Sequence, residues 1–570
     1  MDTTAKELVT VIDTETTGVN PHTAKLLGYS IKADAVAEYK AVTQAPDGRS
    51  VLFLQSLRRK DHVVAHNGKY DKIVLTKEGY PFYVWFDTMI AYYLLRINQS
   101  RKLETIVQDV FQFTKEDLQQ VYNRVTQKDR KSLPEKWWKE IPETALAEYA
   151  AADAHWTYKI FEYCNQQLTG GLRDWFFNIE MPLVNILAEM ELNGVLVDWH
   201  KLAKLSLCLT RRLFIIKDHL EHISQKQELN LNSPKQLQDV LYNQLRLPKY
   251  KKTKTGVSTD SKTLVRLAKL HAFPALLIEY RELEKLVSTY TTPILQQLDV
   301  NARLHTTYNQ ALTATRRFSS EHPNLQNIPT KSDWGKKVRE CFIPQPEHAF
   351  FDLDYDQIEL RLLAHFSEEP KLITAFANAE DIHQLTASLI GGKLGRELPR
   401  ETGKTLNFSL LYGKTAYGFA QDWNCSQQEA QSIIDLYFEQ FPKVLDWMES
   451  QKALAIQTGG WLKTLAGLPL YIGDVFSNNT AERAHILRCA VNYPIQGSSQ
   501  DILKQAIVFI YNKLRLVPVL MVHDELVYEI SNNLLGDLST INSIVNLMEN
   551  CVKLKVPVKV SHKISERWEK

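Results

Sequence analysis

The stretch FDLDYDQIELR, residues 351–361, joins a strand pattern to a helix pattern. The alternation through Tyr355 predicts a strand, and the run that follows it is typical of a helix. We expect the strand to end near Tyr355 and Asp356 to cap the helix, because aspartate is a favoured N-cap residue. Three acids on one strand face repel one another. We therefore predict that Asp354 is indispensable, and that Asp352 and Asp356 are turned aside by a bend or paired with lysine or arginine.

A second acidic turn, Val522-His523-Asp524-Glu525, follows another apolar run far along the chain. Asp354 and Asp524 each stand at the end of an apolar strand pattern. If the two strands are neighbours, the carboxylates can hold two Mg²⁺ ions, which activate a hydroxyl and neutralise charge on a triphosphate. The alternative is a polar hairpin turn without a catalytic role, which the remaining motifs disfavour.

Between these acidic motifs, Arg400, Lys404, Phe408 and Tyr412 recur every four residues and so line one face of a helix. Two cations and two rings in one stripe suit a nucleoside triphosphate, with the cations at the phosphates and the rings near the base and sugar. The alternative is a solvated basic face with two buried rings. A phosphate-binding loop is rejected, because Leu398 stands where that motif needs its first glycine.

At the N-terminal end, Asp13 and Glu15 follow an apolar run. Residues i and i+2 of a strand share a face, so these two carboxylates point together. They repel each other unless a cation lies between them. Taken alone, the pattern is equally that of a strand running into an acidic turn.

Asp71, Tyr149 and Asp153 extend this N-terminal motif. Asp71 follows another apolar run, and Tyr149 and Asp153 are spaced i, i+4, which places them on one helix face. Three or four carboxylates with a tyrosine suit two-metal hydrolysis, in which the ions lie about 4 Å apart. The tyrosine would then orient the attacking water.

The bulk composition sets weaker limits. The chain has 570 residues, 44% of them hydrophobic, and a formal net charge of +2. This length predicts about two to four domains, and the charge balance neither indicates nor excludes a nucleic-acid partner. The six cysteines lack zinc or disulfide spacing. Because no targeting segment or membrane-spanning run is present, we expect a cytoplasmic protein without membrane contact.

The order of patterns along the chain predicts several structural regions. Residues 1–165 alternate short strands with helices, as in a small α/β domain. Residues 176–300 are mostly helical, around a basic stretch at 249–262 that predicts an exposed loop. From residue 303 strands return, and a helical block over about 370–450 separates them. We therefore expect a sheet interrupted by an inserted helical lobe.

The N-terminal acidic set resembles the DEDD exonuclease superfamily, in the variant with tyrosine in its third motif. The matches are Asp13 and Glu15 for the first motif, Asn67 and Asp71 for the second, and Tyr149 and Asp153 for the third. The resemblance implies an RNase H-like fold and an active 3′→5′ exonuclease. It also implies that the four carboxylates bind metal and that the tyrosine takes part in catalysis.

The C-terminal motifs resemble the family A DNA polymerases, the class of bacterial DNA polymerase I and its large fragment. Further matches follow in order at 179–183, 313–315, Arg317, 319–320, 324–329, 381–383, Asn492, Pro494, 496–497 and Asp501. The resemblance implies synthesis of DNA from dNTPs on a primer–template by a monomer, with proofreading. It also implies two Mg²⁺ ions in each active site, which Mn²⁺ can replace.

The implied fold class is an α/β and α+β multidomain chain. An RNase H-like exonuclease domain over 1–175 precedes a right-hand polymerase domain over 176–570. Within the hand, the implied divisions are thumb 190–300, palm 301–370 and 465–570, and fingers 371–464.

The resemblance also assigns roles to residues in the polymerase motifs. The implied metal ligands are Asp354, Asp524 and Tyr355, with Glu525 close by as a further catalytic residue. The implied nucleotide contacts are Arg400, Lys404, Phe408, Tyr412, His383, Gln357 and Glu359, the last of which blocks a ribose 2′-hydroxyl. The implied DNA contacts are Arg317, Asn327, Asn492, Gln496, His523 and the basic loop residues Lys251, Lys252 and Lys254.

Four positions depart from the family pattern. Arg316 and Ser409 each replace a usual glycine, Asp356 stands where many relatives have serine, and Leu468 occupies the place of a common arginine. We expect these departures to leave the chemistry intact and to affect grip on the duplex and metal affinity.

Two other functions are compatible with parts of the sequence. A single-subunit RNA polymerase has a similar palm and nucleotide helix, but Glu359 and the complete exonuclease set disfavour it. A stand-alone exonuclease with a DNA-binding C-terminal region would leave Asp354 and Asp524 without a role.

Overall fold

The computed structural model of the chain describes residues 9–33, 36–41, 48–60, 62–253, 256–423 and 425–569. Its strands are β1 Thr10–Thr16, β2 Leu26–Ala33, β3 Val36–Ala41, β4 Val63–Ala65, β5 Phe86–Asp87, β6 Val195–Leu196, β7 Lys252–Thr253, β8 Gly256–Val257, β9 Arg303–Leu304, β10 Thr307–Asn309, β11 Ser319–Glu321, β12 His348–Tyr355, β13 Trp461–Lys463, β14 Pro469–Tyr471, β15 Pro518–Val522, β16 Glu525–Ser531 and β17 Val560–Ser565.

Helices make up most of the remaining ordered structure. The first half contains α1 Gly48–Leu57, α2 Gly68–Lys77, α3 Thr88–Leu95, α4 Leu103–Phe111, α5 Leu118–Thr126, α6 Glu143–Gln167, α7 Gly170–Trp175, α8 Met181–Asn193, α9 Trp199–Ser224, α10 Pro234–Gln238, α11 Ser261–Ala268, α12 Ala272–Lys285 and α13 Thr292–Gln297. Wider helical turns continue some of these at Phe176–Glu180, Asp239–Gln244 and Leu286–Thr291, and tighter single turns occur at Trp137–Lys139 and Leu325–Asn327.

The second half of the chain contains a further set of helices. They are α14 Asp333–Arg339, α15 Ile358–Ser367, α16 Pro370–Ala377, α17 Ile382–Leu394, α18 Arg400–Leu411, α19 Ala416–Trp423, α20 Gln427–Gln440, α21 Pro442–Gln457, α22 Thr480–Leu514, α23 Asn532–Leu535 and α24 Leu538–Glu549.

The N-terminal sheet has the strand order β3-β2-β1-β4-β5. Strand β1 runs antiparallel to β2 and parallel to β4. Val11 and Ile12 are fully buried, as expected of a central strand covered on both faces. The long helix α6 packs across β1, β2 and β3. These contacts confirm the α/β fold predicted for this part of the chain.

The C-terminal sheet has the order β15-β16-β12-β17, with antiparallel neighbours throughout. Between β12 and β15 the chain forms helices α15 to α22 and the hairpin β13–β14. A helical lobe therefore interrupts the sheet, as predicted. Strand β12 is paired on both sides, and its residues Phe350, Phe351 and Leu353 are fully buried.

Strand β12 ends at Tyr355, as predicted, but the expectation that Asp356 caps α15 is wrong. Gln357 holds the N-cap position with φ 51° and ψ 40°, and no side chain caps the helix. Because Gln357 adopts this left-handed conformation, the helix begins one residue later than expected, and Asp356 is not its N-cap residue. The Asp356 main chain is bonded instead: its N–H donates to Lys559 O (2.9 Å) and its carbonyl accepts from Arg361 Nε (2.7 Å).

Residues 176–300 are largely helical, as predicted, and contribute to a second apolar core in which α9 packs against α12. The basic stretch that was expected to form a loop contains the short hairpin β7–β8. Gly256 in β8 has φ 135°, which L side chains rarely adopt, so glycine suits this position. Lys254 lies outside the described residues.

Four buried charged side chains meet where residues 176–193, 313–318 and α22 come together. Arg316 donates to Glu180 (Nη2–Oε1 2.9 Å) and to Asp501 (Nε–Oδ1 3.0 Å). Lys504 Nζ donates to both Glu180 oxygens (2.9 and 3.1 Å). No side chain of the four is more than 4% exposed. Two cations thus balance two carboxylates, as buried charges require.

This buried ion cluster also ties the N-terminal sheet to the rest of the chain. The Arg316 guanidinium lies 5.8 Å from the ring centroid of Tyr93 in α3, and the Tyr93 hydroxyl donates to Thr313 O (2.9 Å). Burial by itself raises the pKa of Glu180. The charges of Lys504 and Arg316 lower it by more than burial raises it, so the pKa of Glu180 lies below its usual value. Glu180 therefore stays ionised at neutral pH, and both cations keep their partner.

Two smaller expectations concern membranes and cysteines. Within the described residues, no helix has both the length and the apolar character that a membrane span requires. All six cysteines are free thiols, in agreement with their scattered spacing.

We predict that Glu180→Gln lowers the free energy of unfolding by about 3–5 kcal/mol, because it leaves two buried cations with one carboxylate. The matched control is Glu439→Gln, which breaks an ion pair with Lys393 whose side chains are 53% and 50% exposed. That change should cost at most about 1 kcal/mol. Urea unfolding followed by tryptophan fluorescence measures both. Equal destabilisation by the two variants would contradict a stabilising role for the cluster.

Candidate active sites

Three carboxylates converge at one end of the N-terminal sheet. Asp13 and Glu15 lie on the same face of β1, and Asp153 comes from the middle of α6. One oxygen from each of the three lies within 4.8 Å of the others. This spacing and the all-oxygen donor set fit a hard divalent cation such as Mg²⁺ or Mn²⁺.

Asp71 and Tyr149 complete the predicted set around this group. Asp71, in the first turn of α2, accepts from the main-chain N–H (2.9 Å) and the hydroxyl (2.7 Å) of Thr14, which lies between the two strand carboxylates. Asp71 therefore adjoins the three-carboxylate group without being part of it. Tyr149 stands one turn before Asp153 on α6 and is hydrogen-bonded to it. The fold thus brings all the predicted side chains to one end of β1.

Burial and mutual repulsion make these carboxylates weak acids. Burial, and then the charges of Asp153 and Asp71, raise the pKa of Glu15 to about 8. Burial raises the pKa of Asp71 to about 7 despite its hydrogen bonds from Thr14. Burial and the same neighbours also raise the pKa of Asp13. Binding of a divalent cation therefore has to displace protons near neutral pH.

A lysine that the sequence analysis missed lies in this group. The Lys115 ammonium pairs with Asp153 and stands 4.3 Å from the ring centroid of Tyr149, and its side chain is 5% exposed. Lys115 belongs to the segment between α4 and α5, where neither a periodic pattern nor a motif marks it. Only the tertiary fold carries this segment to α6, so no local signal was available to find it.

Asn67 of the second motif and the preceding residue, His66, fix the start of α2. Asn67 is the N-cap residue, with φ 60°, and its N–H donates to Asp87 Oδ1 (3.2 Å). His66 bonds Thr88 Oγ1 (2.8 Å) and a main-chain carbonyl (3.0 Å), and burial lowers its pKa to about 4. His66 is therefore neutral at pH 7, and these contacts hold the helix that carries Asp71.

The C-terminal carboxylates meet where β12 and β16 pair. Asp354 lies opposite Glu525 in the antiparallel register. Asp524, one residue earlier, occupies the turn between β15 and β16 with His523, whose φ is 57°. Strand β16 separates β12 from β15, so the two apolar strands are not direct neighbours. The turn nevertheless places Asp524 at the Asp354 end of the sheet, and the hairpin geometry and the catalytic hypothesis are compatible.

Buried side chains support this end of the sheet. Glu525 is 2% exposed and accepts from Trp568 Nε1 (3.3 Å). The Arg339 guanidinium lies 4.1 Å from the Trp568 ring centroid. Burial lowers the pKa of Arg339, and the carboxylates of Glu525 and Asp352 oppose that shift. The charges of Arg339 and Asp352 therefore interact, and the pairing of Asp352 with an arginine stays a prediction.

Tyr355, predicted as a metal ligand, turns its phenol away from the carboxylates. Successive strand residues point to opposite faces. The Tyr355 hydroxyl donates to Met548 O (3.0 Å), and the residue is 3% exposed. The Tyr355 phenol is therefore engaged elsewhere, and the predicted metal contact stays a prediction, for the main-chain carbonyl.

The predicted nucleotide stripe lies on α18. Arg400, Lys404 and Phe408 share one face of this helix, and Tyr412 follows directly at its C-terminal end. Arg400 and Lys404 are exposed. Arg400 Nε donates to Asp381 Oδ2 (2.6 Å). Two accessible cations thus precede two aromatic residues, as the sequence predicted.

His383 reaches the stripe from the neighbouring helix α17. It is 3% exposed, its ring centroid lies 5.5 Å from that of Phe408, and its Nδ1 lies 3.2 Å from Asn407 Nδ2. Gly403 permits this packing, because a Cβ there would lie 2.0 Å from His383 O. The residue that resembles part of a phosphate-binding loop is therefore a close-packing glycine between two helices.

Glu359, in the first turn of α15, connects the predicted sites. It is 8% exposed, forms an ion pair with Arg317, and accepts from the Tyr412 hydroxyl (2.6 Å). Burial and then the Glu359 carboxylate raise the pKa of Tyr412, so the phenol stays protonated and continues to donate. Segments that are far apart in sequence are thereby joined at one carboxylate.

Several predicted contacts have incomplete hydrogen bonding. Arg317 Nε, Gln357 Oε1 and Asn492 Nδ2 are buried and have no hydrogen-bond partner among the described residues. Buried polar atoms are normally bonded, so these atoms mark places where a ligand would complete the bonding. Asn492 lies one turn before Gln496 on α22, and Pro494 stands between them.

A cleft of about 580 Å³ adjoins the C-terminal carboxylates. It is lined by Asn327 and His523, both predicted DNA contacts, together with Lys336, Arg339 and Glu525. Because Glu525 belongs to both features, the cleft opens beside the carboxylate pair. The cations that line it suit a phosphate backbone.

The predicted thumb contacts Lys251 and Lys252 lie elsewhere, immediately before and at the start of strand β7. Both are exposed, and Lys251 pairs with Asp260 (2.8 Å). Their exposure is compatible with the predicted contact to phosphates.

The departures from the family pattern fall in different surroundings. Arg316 belongs to the buried ion cluster, and Leu468 is 1% exposed beside the β13–β14 hairpin. Neither side chain is accessible to a duplex, so an effect of Arg316 on DNA would pass through its neighbour Arg317. Ser409 is half-buried next to Phe408 on α18. Nothing in the structure explains the serine.

We predict that Glu15→Gln raises thermal stability in EDTA at pH 8, by on the order of a few kcal/mol, and has little effect at pH 5. Because the pKa of Glu15 rises from 4.5 to about 8 on folding, the folded chain holds this proton more tightly than the unfolded chain. Stability is therefore lost as the pH rises between those values, and the amide removes that loss. Scanning calorimetry measures it, and a larger gain at pH 5 than at pH 8 would contradict the assignment.

Two family models match the chain. The model of DNA polymerase family A matches residues 199–570, which is more than half of the chain. The model of 3′-5′ exonuclease matches residues 4–169. The exonuclease model thus covers the N-terminal carboxylate site, and the polymerase model covers the C-terminal one.

Curated relatives align with most of this chain. DNA polymerase I of Caldicellulosiruptor bescii is 40% identical over 401 residues, 69% of this chain and 47% of the relative. DNA polymerase I of Pseudomonas aeruginosa is 34% identical over 584 residues, 98% of this chain and 63% of the relative. DNA polymerase I of Treponema pallidum is 33% identical over 620 residues, 98% of this chain and 60% of the relative. The chain thus spans about half to two-thirds of the length of these relatives.

A solved structure matches over nearly the whole chain. It is the POL domain of Pol1 from M. smegmatis in complex with DNA primer-template and dNTP, which is 28% identical. The TM-score is 0.86, and the match covers 99% of this chain and 96% of the other. The predicted order of an exonuclease domain followed by a polymerase domain is confirmed. Because the family model matches more than half of the chain, the chain belongs to DNA polymerase family A.

Proposed function

We propose that the chain is a template-directed DNA polymerase that extends a primer 3′ end with dNTPs and proofreads with a 3′→5′ exonuclease. Two observations carry the proposal. Asp354 and Asp524 lie at the same end of the C-terminal sheet, and Glu359, five residues after Asp354, contacts Arg317 and Tyr412. A metal-binding acid pair beside a nucleotide helix is what nucleotidyl transfer requires.

Asp354, Asp524 and the Tyr355 carbonyl would hold two Mg²⁺ ions, which Mn²⁺ can replace. Bound there, the ions would activate the primer 3′-hydroxyl and neutralise charge on the triphosphate. Glu525 supports the pair through its buried position opposite Asp354. The oxygen donors at the strand end suit these hard cations.

The incoming dNTP would bind along α18. Arg400 and Lys404 are exposed and offer charge-assisted hydrogen bonds to the phosphates. His383 adds a further phosphate contact from α17, and Phe408 packs near the base and sugar. The unbonded Gln357 Oε1 lies at the start of α15, where it can accept from the nucleotide.

Glu359 would select the deoxyribose. The Arg317 and Tyr412 contacts hold its carboxylate in one position, where a ribose 2′-hydroxyl would collide with it. Because the carboxylate is buried and already bonded, it has little freedom to move aside. Arg317 would meanwhile contact the primer terminus.

The exonuclease would act at the N-terminal sheet. Asp13, Glu15, Asp71 and Asp153 would hold two divalent ions, and Tyr149 would orient the attacking water. Bound ions would activate that water and stabilise the leaving oxygen. The raised pKa values of Glu15 and Asp71 imply that metal binding releases protons.

The proposed architecture is a right hand with the divisions predicted from the sequence. The thumb covers 190–300, the palm 301–370 and 465–570, and the fingers 371–464, after an exonuclease domain at 1–175. The cleft beside Asn327 and His523, and the unbonded Asn492 Nδ2 near Gln496, support a primer–template contact there. A monomeric state and a cytoplasmic location stay predictions.

The two active sites should be separable by mutation. We expect Asp354→Asn and Asp524→Asn each to lower primer extension by about 10³-fold or more, because metal stabilisation of the transition state is worth several kcal/mol. Degradation of single-stranded DNA should persist. Asp13→Ala with Glu15→Ala should do the reverse. Extension with dNTPs and degradation of a 5′-labelled strand are measured on each protein.

Circular dichroism identifies variants that fail to fold. Loss of both activities in a folded single-site variant would overturn the two-site assignment. A wild-type chain that incorporates rNTPs as readily as dNTPs would instead favour a single-subunit RNA polymerase.

Sugar selection gives an independent test. We expect Glu359→Ala to raise the ratio of rNTP to dNTP incorporation, measured as kcat/KM. Tyr412→Phe removes one hydrogen bond to Glu359, worth about 1 kcal/mol net, and should shift the ratio in the same direction by severalfold. The matched control is Tyr417→Phe, whose residue is 62% exposed on α19. Unchanged ratios in the Glu359 and Tyr412 variants would remove the case for this role.

A further inference from the structure

Lys115 occupies the centre of the proposed exonuclease site, although the DEDD motifs assign no lysine there. Its ammonium pairs with Asp153 and lies 4.3 Å from the Tyr149 ring centroid. Its charge lowers the pKa of Asp13, Glu15 and Asp153, against the larger rise that burial causes. Lys115 is thus the neighbour of the metal-binding carboxylates and of the tyrosine at once.

The hydrogen bonds of the ammonium leave room for a ligand. An ammonium has three donors. Lys115 Nζ donates to Glu116 O (3.1 Å) and forms an ion pair with Asp153. The side chain is 5% exposed and lies beside the carboxylates. A buried lysine with spare donor capacity beside a phosphodiester-cleaving site is suited to bind phosphate.

The total charge of a site that holds both metal ions and substrate also favours a phosphate contact by Lys115. Four carboxylates and two divalent ions balance each other, so a terminal phosphodiester adds one uncompensated negative charge. Uncompensated charge in a buried site is costly. The single positive charge of Lys115 restores neutrality when the phosphodiester is present.

We propose that Lys115 is a substrate-binding residue of the exonuclease, which donates to a nonbridging oxygen of the terminal phosphodiester and packs against Tyr149. This inference rests on the proposed exonuclease function and adds a residue to it. In the reaction, the water oxygen bonds to phosphorus and the bond from phosphorus to the preceding 3′-oxygen breaks. That oxygen takes a proton and becomes the new 3′-hydroxyl, and a nucleoside 5′-monophosphate leaves. Lys115 keeps its proton and stabilises the charge on phosphorus-bound oxygen.

The test measures binding rather than turnover. The full chain is titrated with a single-stranded oligonucleotide carrying 2-aminopurine at its 3′ end, in Ca²⁺, under conditions where gels show no degradation. A second oligonucleotide carries a neutral methylphosphonate at the terminal linkage. The variants are Lys115→Met, Lys115→Gln and Lys115→Arg. The control is Lys128→Met, whose residue pairs with Glu140 and whose side chain is 44% exposed.

We expect both neutral variants to weaken binding of the natural oligonucleotide by about tenfold, the scale of one charge-assisted hydrogen bond. With the methylphosphonate linkage, the wild type and the neutral variants should bind equally. Lys115→Arg keeps the charge and should retain most of the affinity, and Lys128→Met should bind both oligonucleotides as the wild type does. A role confined to folding would not depend on the charge of one linkage.

Two outcomes would overturn the role. One is that a neutral variant weakens both oligonucleotides equally, and the other is that it weakens neither. Lys115→Gln retains a donor for Asp153 and provides the measurement if Lys115→Met lowers the unfolding midpoint. A wild-type chain that degrades no DNA would defeat the proposed exonuclease itself. A wild-type chain that degrades DNA while Lys115 fails these tests would defeat the Lys115 role alone.

Discussion

Four buried charges that balance one another hold the chain in the arrangement on which both sites depend. Arg316 sits at φ 63°, a region that side chains other than glycine adopt at a cost of about 1–3 kcal/mol. The ion pairs to Glu180 and Asp501 offset that cost. The next residue, Arg317, points instead to Glu359. The conformation of a single turn thus sets the junction between the sheets and one wall of the proposed nucleotide site.

The two candidate sites use carboxylates in different ways. At the N-terminal sheet Glu15, Asp71 and Asp153 are buried and Asp13 is half-buried beside them. Loss of water and repulsion raise the pKa values of Asp13 and Glu15, so these acids depend on a cation. At the C-terminal sheet Asp354 and Asp524 are half-buried at strand and turn ends, with the buried residues Glu525 and Arg339 beside them. The first arrangement suits a compact hydrolytic site. The second lies beside a cleft of about 580 Å³.

Glu359 joins several segments of the proposed polymerase site. It is contacted by Arg317 from the segment after β10 and by Tyr412 from the end of α18. These contacts connect the proposed primer contact, the sugar contact and the nucleotide helix through one carboxylate. A rearrangement of the nucleotide helix would therefore affect the proposed primer contact of Arg317. The reason is that the Tyr412 hydrogen bond and the Arg317 ion pair share the Glu359 carboxylate as acceptor.

The sequence by itself determined every feature that depends on local spacing. Asp13 and Glu15 share a strand face, Tyr149 and Asp153 share a helix face, and Arg400 to Phe408 line one helix. Strand and helix periods fix these relations wherever the element lies in the fold. The family resemblance supplied the roles, which spacing alone left open between catalysis and ordinary surface or turn structure.

Only the tertiary structure decided which distant residues meet. The Asp356 cap failed because Gln357 adopts a left-handed conformation, and the Tyr355 phenol turned towards Met548. Lys115 reached the acidic group from a segment without any pattern, and Arg316 turned inwards to the buried ion cluster. The physical reason is common to Tyr355, Lys115 and Arg316. A buried charge or hydroxyl takes the partner that long-range packing brings within reach, and local sequence periods carry no record of that partner.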